Sequence, residues 1–432
     1  MRDWPLVYAA SDGWRRSGVV RSVSAPSIEV DVPGLTPGAC VMVERPGRSS
    51  VAAEVIAVAG HRAICAPLES SKGIAVGARA ESTLARIGAY VGAPLLGRDA
   101  DAWGRCEGRI GARAVAVDPR PVPTAGRAAI SRPLRTGVSA IDAFAPIGYG
   151  QRIALMSGAG VGKTTLLRQI VERAHVDARV VALVGERGRE AAELIARFAG
   201  DARRATTTVI CATAESPPVE RLAAARTATA HAEALAAGGR DVLLVVDSLT
   251  RVATAWREHA LAAGETASHR GHPPTMPGVL AGLVERAGAR ACGSITAVYA
   301  VLVEGDDERE PVTDAVRALL DGHVALSRRL AQAGSFPAID VLRSLSRLMD
   351  VVATAGHRSD AALVRGAIAA LEHAEDLFAI GAYRPGGDRA LDAAVRVRDD
   401  IDALIFDGSK PATAGDPLQA LAAIASRLRA DA

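Results

Sequence analysis

Ser157-Gly-Ala-Gly-Val-Gly-Lys-Thr-Thr165 is the stretch that decides the fold of this 432-residue chain. Of the 51 lysines and arginines only three are lysine, and Lys163 stands inside this loop between Gly162 and Thr164. A position that keeps an ammonium where almost every other cation is a guanidinium marks a place that arginine does not suit. A phosphate-cradling loop is such a place. Its glycines let backbone N–H groups point at phosphate oxygens, the lysine reaches the outer phosphates, and the hydroxyl after it ligates Mg²⁺. Ser157 departs from the pattern G-x-x-x-x-G-K-[ST] at its first position, and taken alone the segment would be a glycine-rich turn. Its neighbours decide. QRIALM, residues 151–156, reads as a short buried strand, and TLLRQIVER, residues 165–173, as an amphipathic helix. Strand, glycine loop and helix together are the setting of a P-loop.

Working outward, residues 151 to about 335 alternate apolar runs with helical patterns. RIALMS, ARVVALVGE, TTTVICAT, RDVLLVVD and GSITAVYAVLV read as strands. Their unbroken apolar character suits parallel strands buried on both faces, which makes this an α/β core. Asp247 ends one such run, where a metal-associated carboxylate is expected downstream of a P-loop. Gly185-Glu-Arg-Gly-Arg-Glu190 follows directly on another, placing its charges at a strand's C-terminal end, the ligand-binding edge of open α/β sheets. Hydrolysis needs a group that orients the attacking water and a cation for charge on the γ-phosphoryl. Arg343 and Arg347, in Phe336–Arg347 (FPAIDVLRSLSR), are candidates for the second role.

Before this core, residues 17–84 are short alternating runs cut by Gly and Pro, which read as a small β-barrel. Residues 85–150 are a Gly- and Pro-rich linker and lead-in, and the chain is helical in pattern from about 349 to 432. The expected division is therefore 1–84, 85–348 and 349–432. The 51 basic and 48 acidic residues nearly cancel and aromatics are 3 %, so neither a phosphate-binding electrostatic footprint nor a base-stacking surface for nucleic acid is indicated. Five widely spaced cysteines form no CxxC pair, which points away from a disulfide framework and a zinc site. His269 and His272, with two residues between them and no third ligand nearby, read as loop residues. No secretory signal is visible and no apolar run approaches the ~18 residues of a membrane span, so a cytoplasmic protein is expected.

The motifs SGAGVGKTTLL, VGERGREAAELI, DVLLVVDSLTRVATAWRE, LAAGE, EGDDEREPVTDAVRALLDGHVALSR and FPAIDVLRSLSR occur in the order seen in ring ATPases related to the catalytic subunit of rotary ATP synthase. GERGRE, DSLTR followed by LAAGE, and LVEGDD resemble most the export ATPases of type III secretion systems and of the bacterial flagellum. AGVGKTT is closer to the injectisome members than to the flagellar GSGVGKS form. The resemblance spans essentially the whole chain and implies an RecA-like P-loop core with a parallel sheet, an N-terminal barrel and a helical C-terminal domain.

It also implies roles. Gly158, Ala159, Gly160, Val161, Gly162, Lys163, Thr164 and Thr165 would hold the phosphates of ATP, with Thr164 on Mg²⁺. Glu186 matches the catalytic glutamate that positions water, Arg187 would lie near the γ-phosphate, and Glu190 and Asp247 would act on the metal through water. Arg347 matches the arginine finger reaching a neighbouring subunit's ATP, and Phe336 the aromatic on which adenine stacks. Residues 304–307 (EGDD) would face the central channel of the ring, near a stalk protein. Implied partners are a homohexamer, a central stalk, a peripheral stator, chaperone–substrate complexes and an export gate at the inner membrane. Residues 272–286 lack the family's central arginine and move its proline, and LLGRDADAWGRCEG is an eroded form of a family motif. In rotary synthases the glutamate and the finger belong to different subunits; a chain holding both Glu186 and Arg347 can complete a site at every interface of a homo-oligomer. The alternatives are a flagellar export ATPase, a rotary ATPase subunit, an RNA-translocating ring helicase and a non-catalytic ring subunit.

Overall fold

The computed structural model describes residues 4–7, 15–108, 111–117, 123–303, 310–406 and 415–431. The chain condenses into two discontinuous units, Met1–Ala125 with Ala178–Arg286, and Gly126–Asp177 with Ala287–Ala432. In chain order the elements used below are β1 (Arg16–Val23), β2 (Ile28–Asp31), β3 (Cys40–Val43), β4 (Val51–Ala59), β5 (Arg62–Pro67) and β6 (Arg79–Ser82). Then come β7 (Arg152–Ser157), α1 (Lys163–Arg173), β8 (Ala178–Val184), α2 (Gly188–Ala199), β9 (Thr207–Ala212), α3 (Pro218–Ala237), β10 (Asp241–Asp247) and α4 (Leu249–Ala262). The last are β11 (Ser294–Leu302), β12 (Gly322–Leu326), β13 (Ile339–Ser346), α5 (Ala355–His373), α6 (Arg389–Arg396), α7 (Arg398–Phe406) and α8 (Pro417–Asp431).

In the first unit β1 to β6 close into a barrel in the order β1-β2-β5-β4-β3-β6, which leaves no free strand edge. Alternation does the sorting. In β2, Ile28 and Val30 point into the core while Glu29 and Asp31 stay at the surface. Burial of Cys40 and Cys65 in this barrel pushes both thiols up to about 12. The expected runs supply β1 to β5. The sixth strand, RAES, has only Ala80 and Ser82 facing inward and carried no apolar signal.

The same unit holds the parallel set β9-β8-β10, with Asp99–Asp101 added beside β9. All seven residues of β8 are buried, as its aliphatic run requires. Helix α3 packs on β8, β9, β10 and α4 and is buried along most of its length. Close packing on several sides explains why it is built from Ala and Thr rather than from one apolar stripe. His231 and Thr227 lie fully buried on it.

In the second unit the order is β13-β12-β7-β11. β7 runs parallel to β11 and β12, and β13 returns antiparallel along β12. Gln151, fully buried, pins one end of this sheet: it accepts the Gly148 N–H at 2.8 Å and donates to Asp321 O and Ser346 Oγ, both at 3.1 Å. Helices α5 to α8 follow, and the predicted helical C-terminal region is present. Arg365 of α5 reaches back to β13, donating to Val341 O at 2.7 Å and Ser344 O at 3.3 Å, and to Phe144 O at 2.7 Å. The fold class is thus an α/β P-loop core with a small β-barrel before it and helices after it. No helix among the described residues is long and apolar enough to cross a membrane.

Candidate active site

β7 delivers Ser157 at its C-terminal end, and the loop beyond it turns into α1 at Lys163. Gly160 and Gly162 hold φ of +76° and +91°, a backbone region that side chains resist. Val161, 2 % exposed, anchors the loop from below, while Ala159, Gly160, Thr164 and Thr165 face outward. Gly162 caps α1 without a side-chain hydrogen bond, and no acidic residue occupies the first turn. The helix therefore starts with N–H groups and a dipole end disposed to receive an anion. Lys163 and Thr164 sit in that first turn.

Phe336 lies against this loop. A Cβ placed on Gly162 would come 3.4 Å from the Phe336 ring, and the ring is 45 % exposed, so one face remains accessible. The register explains the placement. Leu326 of β12 pairs with Ile339 of β13, so β13 begins at the strand end from which the phosphate loop emerges. It ends at the other. Ser346 pairs with Gly322, next to His323, which is in register with Ala154 near the start of β7. Arg347, the next residue, donates its backbone N–H to Asp321 O at 3.0 Å, and Asp321 bridges to Arg152 at 3.1 Å. At ~3.3 Å per residue the six residues of β7 hold Arg347's end of the sheet roughly 16 Å from the phosphate-loop end.

Arg347 is exposed and donates to Arg317 O at 3.1 Å. It lines a cleft of about 290 Å³ with Arg317, Gly322, His323, Arg343 and Leu345. Arg343, the other finger candidate, opens onto the same cleft. Arg317 and His323 carry no local sequence signal; only the fold collects them there.

The remaining predicted residues belong to the first unit. Gly185, with φ of +70°, turns the chain out of β8 and donates to Ala212 O at 2.7 Å. Half-buried Glu186 follows, its carbonyl accepting the Ala214 N–H at 2.9 Å. Arg187 is exposed and pairs with Glu190 at 3.4 Å across the first turn of α2. Asp247, 3 % exposed, ends β10 opposite Leu183 of β8. The C-terminal ends of two adjacent parallel strands thus present Glu186 and Asp247 together, with Glu190 on the helix that follows. Residues 304–307 (EGDD) lie outside the described residues.

The phosphate loop and Phe336 of the second unit fit a magnesium nucleotide. The loop supplies backbone donors, a lysine and a threonine hydroxyl, and Phe336 a ring for a base. Among the described residues no group of three His, Cys, Asp or Glu could hold a metal by itself. Mg²⁺ needs no such cluster, since it takes one or two protein ligands and completes its shell with phosphates and water.

The ATP synthase alpha/beta family nucleotide-binding domain matches residues 137–346, and the T3SS EscN ATPase C-terminal domain matches residues 353–423. The SPI-2 type 3 secretion system ATPase of Salmonella typhimurium strain LT2 is 42 % identical over 399 residues, 92 % of each chain. The flagellum-specific ATP synthase of Bacillus subtilis strain 168 is 37 % identical over 421 residues, 96 % of each chain. Among solved structures, the assembled ATPase EscN in complex with its central stalk EscO, from the enteropathogenic E. coli type III secretion system, superimposes with a TM-score of 0.86 at 36 % identity, covering 94 % of this chain and 100 % of that one. With the phosphate loop, the strand-end carboxylates and the C-terminal domain accounted for together, the chain belongs to the type III secretion ATPases of the ATP synthase alpha/beta family.

Proposed function

We propose that this ATPase hydrolyses ATP as a homohexameric ring that energises type III protein export, releasing chaperones and unfolding substrates at the export gate. The observation that carries the ring is the course of β13. One end of it sets Phe336 against the chain's own phosphate loop, and the other carries Arg347 to the far end of the same sheet. An arginine at the end of the sheet opposite its own loop suits a finger that serves a neighbouring copy. Because Glu186 and Arg347 occur on one chain, identical copies complete every site.

The residues divide the work. The backbone N–H groups of Gly158 to Thr165 and the Lys163 ammonium hold the β- and γ-phosphates in line for attack. Phe336 stacks on the adenine. Glu186 orients the attacking water and receives its proton. Mg²⁺, when bound, would supply charge neutralisation at the phosphates. Thr164 would ligate the metal, and Asp247 and Glu190 would act on it through water. Arg187 stands ready for the γ-phosphate, and Arg347 from the adjacent copy meets the charge that develops there.

The partners we assign are a central stalk, a peripheral stator and chaperone–substrate complexes, with the protein in the cytoplasm at the inner-membrane export apparatus. The division into 1–84, 85–348 and 349–432 is our reading of where these tasks separate; β6 ends at Ser82, and the two family matches part between 346 and 353. The test is Glu186→Gln, assayed for phosphate release and for ATP binding. Binding preserved with turnover abolished is expected; normal phosphate release would remove Glu186 from its role.

A further inference from the structure

Ser157 replaces the glycine that opens the phosphate-loop pattern, and its hydroxyl is oddly placed for a structural residue. It is 1 % exposed at the last position of β7. Its backbone carbonyl is satisfied, accepting the Val303 N–H at 2.9 Å. Its Oγ is buried with no hydrogen-bond partner among the described residues. A buried hydroxyl without a partner is destabilising, and folded proteins keep few of them. Glycine would satisfy the loop pattern and alanine would fill the space at no polar cost. Neither stands here.

The surroundings name an acceptor. Ser157 is the strand residue that leads into a loop whose glycines and following helix N-terminus are disposed toward an anion. A Cβ placed on Gly160, three residues on, would meet nothing within 4 Å, so the loop's outer face admits a bulky group. A phosphate oxygen only accepts, and a serine hydroxyl can rotate to donate. We propose that Ser157 is a phosphate-binding residue of this ATPase, donating its hydroxyl hydrogen bond to the phosphate of the bound nucleotide. This rests on the ATPase reading above and adds a side-chain donor to a loop otherwise reliant on backbone groups and Lys163. The local penalty of the orphaned hydroxyl is then relieved on binding, so that Ser157 exchanges stability of the protein alone for affinity.

The test compares full-length wild type with Ser157→Ala and Ser157→Gly. Thermal unfolding is followed without nucleotide, and binding of ADP and of adenosine is measured by competition with a fluorescent ADP. For Ser157→Ala the midpoint without nucleotide is expected at or above that of wild type. ADP affinity falls roughly tenfold, the size of one hydrogen bond to a charged acceptor, while adenosine affinity stays unchanged. Ser157→Gly shows the same ADP loss. An ADP affinity of Ser157→Ala within about twofold of wild type, or equal losses for ADP and adenosine, overturns the assignment. So does a lowered midpoint for Ser157→Ala, which would show that the hydroxyl has a structural partner. A wild type that binds no ADP overturns the ATPase reading itself, and the assignment with it.

Discussion

His231 is built to stay neutral, and acidification should therefore weaken the unit that contains it. The ring is fully buried on α3. Nδ1 accepts the Gly92 N–H at 3.1 Å, and Nε2 lies 3.1 Å from Thr208 Oγ1. The Thr208 hydroxyl donates to Leu95 O at 2.8 Å, so its oxygen must accept from the ring. Only the tautomer protonated at Nε2 satisfies all three bonds, and a second proton would set N–H against N–H. Burial lowers the pKa from 6.5 to about 4, with Arg240 adding repulsion.

The folded pKa of this base lies below its unfolded value, so the unfolded chain takes up the proton first. Stability is intact above pH 6.5, declines as pH falls, and levels off below about pH 4. At ~1.4 kcal/mol per unit, the shift amounts to about 3 kcal/mol in full and about 2 kcal/mol by pH 5. The assay is urea unfolding at pH 8 and pH 5 for wild type and His231→Gln, which cannot titrate. Carboxylates common to both proteins cancel in the difference, and wild type should lose about 2 kcal/mol more than the variant. Identical losses, or a His231 NMR titration near 6.5, would refute the reasoning.

Other perturbations have expected outcomes. Arg286 pairs with Glu233 at 2.6 and 3.2 Å and donates to Val117 O at 2.8 Å, nearly enclosed. Arg286→Ala should therefore cost about 2–3 kcal/mol by chemical denaturation, because it removes charge-assisted hydrogen bonds to the largely enclosed Glu233 carboxylate; a loss below 1 kcal/mol would contradict the pairing. Phe336→Ala should weaken ATP and adenosine binding alike, by roughly tenfold for a lost base–aromatic stack, with the melting midpoint little changed. Lys163→Ala should abolish hydrolysis while leaving thermal stability near wild type, since Lys163 stands outside the packed core.

Much of this was legible because the signals are local. A five-residue aliphatic run such as Val242–Val246 has few ways to fold other than as a buried strand, and Gly162 beside Lys163 and Thr164 announces a phosphate loop. The ordered motifs then named the family. What escaped depends on contacts distant in sequence. RAES becomes a strand only because β1 and β3 leave edges on both sides of it. His231 drew no notice because its partners, Gly92, Leu95 and Thr208, come from other segments. Arg343 and Arg347 were visible as candidates, but the end of the sheet that holds the latter was not. That follows from register, Ser346 with Gly322 and Ile339 with Leu326, which one sequence cannot supply. The role of Arg365 in holding β13 was equally hidden, as its acceptors are backbone carbonyls.

The claim on which the account depends is that each active site takes Arg347 from a neighbouring copy, and mixing two inactive variants tests it most directly. Glu186→Gln and Arg347→Ala subunits, each without turnover alone, are combined in equal amounts and their phosphate release is measured. In randomly mixed rings about one quarter of the interfaces join an intact Glu186 to an intact Arg347 from next door, so activity should return to roughly a quarter of wild type. Mixtures that assemble but stay as inactive as their components would contradict a site shared between copies.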